Sequence, residues 1–177
     1  MKKAVFIVAP ETFRDEEYYV PRQILEDANV EVITASVKVG GLVGRFGYKT
    51  TSSLLISDIN YNYFDAIVYI GGGGASVFFD NADALKLAVD FFNSKKITAA
   101  ICIAGVILAN AGILQNKKAT VFIDGKDTLI KSGAHYTGNT LEVDGNIITA
   151  NGPEAAESFG KAILNQLNII NMCEVEQ

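Results

Sequence analysis

Three short, nearly uninterrupted apolar runs constrain this chain more than any other feature: Ala4 to Ala9, Phe64 to Ile70, and Ile97 to Ile101. Each is too short for a helix, and a strand with one wet face would alternate, so such runs are strands buried on both faces, as in a parallel sheet. Helical patterns over Asp15 to Asn29 and Ala82 to Ser94, with a further strand over Val30 to Ser36, fill the spaces between them. Strands and helices alternating at this spacing build right-handed βαβ units. The expected fold class is therefore α/β, with a mostly parallel central sheet.

Two stretches break the alternation. Val39 to Tyr48 reads as a glycine-turned β-hairpin, and Thr140 to Thr149 as a second, turned at Asp144-Gly145-Asn146. After Gly152-Pro153, Glu154 to Leu167 reads as a closing amphipathic helix with Pro at its start. We expect one domain over residues 1–167 and a frayed C-terminal tail over 168–177, since 177 residues bury a core without staples.

The 15 basic and 20 acidic residues give a formal charge of −5, and the basic ones form no stripe, which argues against nucleic acid or an anionic membrane as partner. No run approaches the ~20 apolar residues of a membrane span, and the N-terminal run lacks a signal-peptide cleavage site. Two cysteines, Cys102 and Cys173, make no disulfide framework. The expected location is the reducing cytoplasm.

Sites in parallel α/β sheets form at the carboxyl ends of strands. Cys102 stands there, between the Ile97 to Ile101 strand and a helix pattern over Ile103 to Ala111, flanked by Ala100 and Ala104. The pattern small-x-Cys-x-small is that of a nucleophile elbow, in which N–H groups at a helix start favour a thiolate. The same residues also suit plain core, where free cysteine is common.

Gly71 to Gly74 ends the middle strand and is followed by Ala75-Ser76, which is neither a P-loop nor a dinucleotide fingerprint. A glycine N–H paired with that of Ile103 suits an oxyanion hole better. Asp15, Glu16 and Glu17 each offer a carboxyl after the first strand, and acidic first turns also arise for dipole reasons alone. No cofactor and no metal is called for.

Taken together, Asp15 to Pro21, Asp65 to Gly72, Ala99 to Cys102, and the stretch from Lys126-Asp127 through Gly133-Ala134-His135-Tyr136 to Asn151-Gly152-Pro153 resemble the DJ-1/PfpI superfamily over about Lys3 to Leu167. The resemblance implies a flavodoxin-like three-layer sandwich. It also implies Cys102 as nucleophile, Glu17 as its hydrogen-bonding carboxyl, and Gly72 with Ile103 as oxyanion donors.

The chain departs from that pattern in its histidines. Where protease-like members carry His after the cysteine stands Ile103, and where the deglycase branch supplies His stands Phe122. Ala104-Gly105 replaces the usual Gly-Pro or Thr-Pro. The only histidine, His135, is expected to be structural, in a β-hairpin region. Peptide hydrolysis needs an acid for the departing amine, so the missing imidazole disfavours a peptidase.

Addition of a thiol to a small reactive carbonyl such as methylglyoxal expels no amine. A glyoxalase or deglycase activity is the leading expectation. The alternative is a non-enzymatic, redox-responsive protective or chaperone-like protein sensing oxidation at Cys102. A nucleotide binder would rest only on the glycines and on fold analogy. The resemblance also implies a homodimer, for which the apolar hairpin around Leu42, Val43 and Phe46 offers surface.

Overall fold

The first apolar run forms β1 (Lys3–Ile7) of a computed structural model, whose described residues are 1–175, with side chains through Asn168. The chain continues through β2 (Glu11–Phe13), α1 (Asp15–Asp27), β3 (Glu31–Ser36), β4 (Gly40–Gly44), β5 (Lys49–Ser52) and β6 (Leu54–Leu55). Next come β7 (Ala66–Tyr69), α2 (Ala82–Asn93), β8 (Ile97–Ile101), α3 (Gly105–Asn110) and β9 (Lys118–Ala119). The last elements are α4 (Lys126–Lys131), β10 (His135–Tyr136), β11 (Leu141–Asp144), β12 (Ile147–Ala150) and α5 (Ala156–Val175).

Seven strands make the central sheet in the order β11-β12-β8-β7-β1-β3-β6. Only β11 runs antiparallel to its neighbour; the other pairs are parallel. From β1 the chain crosses to β3 on one side, whereas β7 crosses to β8 on the other. Right-handed crossovers then place α1 and α2 on opposite faces. Helix α5 packs on α1 and α3 on α2, completing an α/β sandwich of three layers. The reversal lies between β1 and β7, and the crevice beyond their carboxyl ends is where such sheets hold ligands.

All of β1 after Lys3, with β7 and β8, is buried, as runs without polar alternation require. Phe6, Ile67, Phe91 and Phe159 are fully enclosed in the resulting core. Pro21 sits inside α1, where it has no N–H to return to the carbonyl of Glu17 one turn earlier. Helix α5 passes so near that a Cβ on Gly160 would lie 2.8 Å from the Pro21 Cα. No helix among the described residues is long and apolar enough to cross a membrane.

A hairpin forms at each expected place: β4 with β5, whose second strand lies just beyond the expected Tyr48 boundary, and β11 with β12 around Gly145 at φ +62°. The first joins β2 in a separate three-stranded sheet.

Several details differ from the sequence reading. Leu42 is core at 1% exposed, so of the three apolar residues expected on the hairpin surface Val43 and Phe46 face outward. His135 belongs to no hairpin: β10 pairs parallel with β9, and the His135 N–H donates to the Lys117 carbonyl at 2.8 Å. The closing helix does not stop at Leu167 but runs to Val175, because no Gly or Pro after Asn168 ends it. Residues 176 and 177 of the expected tail lie outside the described residues, as does the Cys173 side chain.

Candidate active site

Cys102 follows β8 directly and has φ +60°, a left-handed conformation uncommon for a residue with a Cβ. Such backbones cost on the order of 1–3 kcal/mol and persist only where their surroundings hold them. Here Ala100 and Ala104 are fully buried on either side of the turn, leaving room for strand and helix to meet. Residues Cys102–Ala104 form a 3-10 turn before α3, which is shorter than the helix expected over Ile103 to Ala111.

The three acids at the start of α1 face three ways. Asp15 accepts hydrogen bonds from the Phe46 and Tyr48 N–H groups, at 3.2 and 3.0 Å, and so fixes the β4–β5 turn. Glu16 pairs with Arg14 at 2.9 Å. Glu17 alone turns inward, fully buried, to Cys102.

Both Glu17 carboxyl oxygens are buried without a closed hydrogen bond. The Cys102 thiol and the Gly71 N–H are near enough to act on its charge but do not reach hydrogen-bonding geometry. Burial dominates and pushes the Glu17 carboxyl up to about 7, against the opposing pull of Cys102, Arg14 and Gly71. Gly71 is the wedge that permits this approach: a Cβ there would stand 2.5 Å from Glu17 Oε2 and 2.6 Å from the Cys102 Cβ.

The expectation of a stabilised thiolate needs correction. The N–H groups of Ile103 and Gly72 do favour the charged sulfur, but burial and the Glu17 charge outweigh them and push the Cys102 thiol up to about 12. A 3-10 turn leading into the six residues of α3 adds little dipole to oppose that burial. With the carboxyl at about 7 and the thiol at about 12, the pair carries both protons in acid and a single one from neutrality upward.

Gly72, at φ +96°, carries the chain from β7 past the backbone of Thr12, Phe13 and Arg14, and bridges Phe13. Gly72 and Ile103 thus reach the sulfur from separate segments. The resulting cleft, of about 320 Å³, is lined by Arg14, Glu17, Arg45, Gly72, Gly73, Cys102, Ile103, Phe122, Asp124 and Pro153. The Phe122 N–H donates to the Cys102 carbonyl at 3.3 Å, so hydrocarbon fills the cleft where the resemblance looks for imidazole. His135 does not line it.

All four residues expected at the site, Cys102, Glu17, Gly72 and Ile103, are brought together. Arg14, Arg45, Asp124 and Pro153 were not expected there. Arg14 stands three residues before Glu17, and that spacing beside an inward carboxyl was the one available hint. Arg45 reaches the cleft only through the hairpin's tertiary placement.

The DJ-1/PfpI family pattern matches residues 2–166. An uncharacterized protein of Methanocaldococcus jannaschii is 38% identical over 168 residues, covering 93% of this chain and 82% of that protein. The deglycase PfpI of Pyrococcus furiosus is 32% identical over 151 residues, or 85% of this chain and 90% of its own. Among solved structures, a ThiJ/PfpI domain protein from Brachyspira murdochii superposes with a TM-score of 0.92 at 32% identity, covering 94% of this chain and 96% of that one. Drosophila melanogaster DJ-1beta gives 0.84 at 25%, covering 94% and 90%.

Proposed function

The chain belongs to the DJ-1/PfpI family, and from that premise we propose that it is a cysteine-dependent enzyme of the glyoxalase or deglycase type, acting on small reactive dicarbonyls such as methylglyoxal. The observation that carries this reading is Cys102 at φ +60° beside a fully buried Glu17 whose carboxyl closes no hydrogen bond among the described residues. Deglycase relatives at 32% identity support the substrate class.

In the reaction, the Cys102 sulfur adds to the aldehyde carbon while Glu17 takes the thiol proton and returns it to the new alkoxide. The N–H groups of Gly72 and Ile103 hold that oxygen. The product is a hemithioacetal. Glu17 then removes the proton from the sulfur-bearing carbon and delivers it to the neighbouring carbonyl carbon, while the hydroxyl proton of the adduct passes to the neighbouring oxygen, which rearranges the adduct to a thioester of 2-hydroxypropanoate. Water cleaves the thioester, releasing lactate and restoring the thiol. A carboxyl near 7 suits both directions of transfer at neutral pH.

No step expels an amine, so the lack of imidazole does not block this sequence as it would peptide hydrolysis. The test is lactate formation from methylglyoxal in metal-free buffer. Cys102→Ala should abolish it and Glu17→Gln should lower it at least about 10²-fold. Undiminished turnover by Cys102→Ala would refute the reading.

A redox-responsive, non-enzymatic role is the second reading. It is supported by a buried carboxyl beside Cys102 that closes no hydrogen bond and could donate to an oxygen added on the sulfur. The raised thiol weighs against it, since oxidation starts from the thiolate. A homodimer is part of the first reading, supported by the outward Val43 and Phe46 of the hairpin. Sedimentation at micromolar concentration should give twice the 19.0 kDa chain mass.

A further inference from the structure

Resting on the reading of Cys102 as a nucleophile toward carbonyls, we propose that its cleft selects carbonyl compounds carrying an anionic group, carboxylate or phosphate, and that Arg14 and Arg45 are the residues that recognise it.

Both guanidinium groups line the cleft that holds the sulfur. Arg14 is held on two sides. Its Nε donates to Glu16 at 2.9 Å and its Cζ lies 4.8 Å over the Phe46 ring, which orients the plane of the group. Its terminal amino groups make no hydrogen bond among the described residues. A guanidinium fixed in this way keeps a fork of donors for a planar or tetrahedral anion at little further entropic cost.

Arg45 stands near the same ring, with its Cζ 5.9 Å from the Phe46 centroid. It has no carboxylate partner among the described residues. Its place is set by the backbone: its N–H donates to the Phe13 carbonyl at 2.8 Å, and Asp15 holds the next turn residues. Helix α1 therefore positions both cations, Arg14 directly and Arg45 through Asp15.

The opposing charges are Asp124, Glu17 and Glu16. Asp124 comes from the segment that also brings Phe122, so an anion is steered toward the Arg14 and Arg45 side. Glu17 is fully buried, and Glu16 occupies only the Nε edge of Arg14. Two cations around one small cleft are notable on a chain of formal charge −5. A cleft of about 320 Å³ has room for a small anionic carbonyl compound such as glyoxylate.

The test uses two alkylating agents of nearly equal size. Iodoacetate and iodoacetamide both form the same S–C bond with loss of iodide, but only the first is an anion. Their rate ratio at Cys102, read by peptide mass, is compared with the ratio at 2-mercaptoethanol. Recognition predicts a ratio at least about threefold higher at Cys102, falling about threefold in Arg14→Gln and in Arg45→Gln, and falling in 0.5 M salt. A ratio equal to that of 2-mercaptoethanol, or one unchanged in both variants, overturns the proposal while leaving the nucleophile intact.

If neither reagent modifies Cys102, the nucleophile reading fails instead. Calorimetry with glyoxylate and Cys102→Ser then decides the anion site: binding that weakens in Arg45→Gln upholds it, and absence of binding overturns it. Glyceraldehyde 3-phosphate in the same titration separates phosphate from carboxylate recognition.

Discussion

Asp15 and Tyr48 are joined by a 3.0 Å hydrogen bond from the Tyr48 N–H to the buried Asp15 carboxylate, which ties the β4–β5 turn to the first turn of α1. The same turn of helix carries Glu17, so one backbone segment sets both the floor of the cleft and its rim. Tyr18 reinforces the joint, its hydroxyl sharing hydrogen bonds of 2.8 Å with both Thr34 and Thr50. Asp15→Ala removes the acceptor for two N–H groups at once. It should lower stability by about 2 kcal/mol in urea unfolding and speed amide exchange at Phe46 and Tyr48. Unchanged exchange there would show that the turn holds without Asp15.

The four glycines after β7 are not equivalent. A Cβ at Gly71 would crowd Glu17, Cys102 and the Ile101 carbonyl, the last at 2.8 Å, whereas at Gly73 the nearest atom is Thr12 Oγ1 at 3.9 Å. Gly71→Ala should therefore cost on the order of 1–3 kcal/mol and abolish turnover by parting the pair. Gly73→Ala should be close to neutral in both melting temperature and lactate production. Equal behaviour of the two variants would remove the wedge role of Gly71.

Glu17 makes stability depend on pH. Its carboxyl titrates at about 7 when folded and at an ordinary 4.5 when unfolded, so between these values the folded state binds the extra proton. Its contribution is fully present below pH 4.5 and is lost as pH rises to 7. The loss is about 3 kcal/mol. In urea titrations, wild type should lose roughly that much more stability than Glu17→Gln between pH 4.5 and 7.5. Parallel curves for the two proteins would mean that Glu17 is not held protonated by burial.

The parts of this fold legible in sequence were those with a physical period. β1, β7 and β8 are buried on both faces and contain no alternation, which is why their apolar runs mark the sheet's centre. The turn at Gly145 announces its hairpin by composition. Strands of two residues such as β9 and β10 carry no period, and His135 was misplaced for that reason. Leu42 was read as surface because a hairpin has two faces and sequence does not say which one meets the core. At the site, the residue types around Cys102 were legible but their electrostatic balance was not. Whether two N–H groups outweigh burial and a carboxylate is decided by enclosure, and here enclosure wins.

That balance yields the last prediction. Phe122 lines the cleft and its N–H bonds the Cys102 carbonyl, so a side chain at 122 is held beside the nucleophile by its own backbone. Phe122 is 40% exposed, which gives a replacement imidazole access to water and an ordinary affinity for protons. Phe122→His adds a base near neutral pH where the wild type relies on Glu17 alone. An imidazolium also opposes the Glu17 charge that raises the thiol, so the Cys102 pKa should fall. Both effects act in one direction. Lactate formation from methylglyoxal at pH 7 should rise by about tenfold, below the 10²–10⁴ of a fully positioned group, and iodoacetamide labelling of Cys102 should quicken in parallel. Faster labelling without faster turnover would assign the limit to proton transfer at Glu17, and no change in either would show that position 122 does not reach the sulfur.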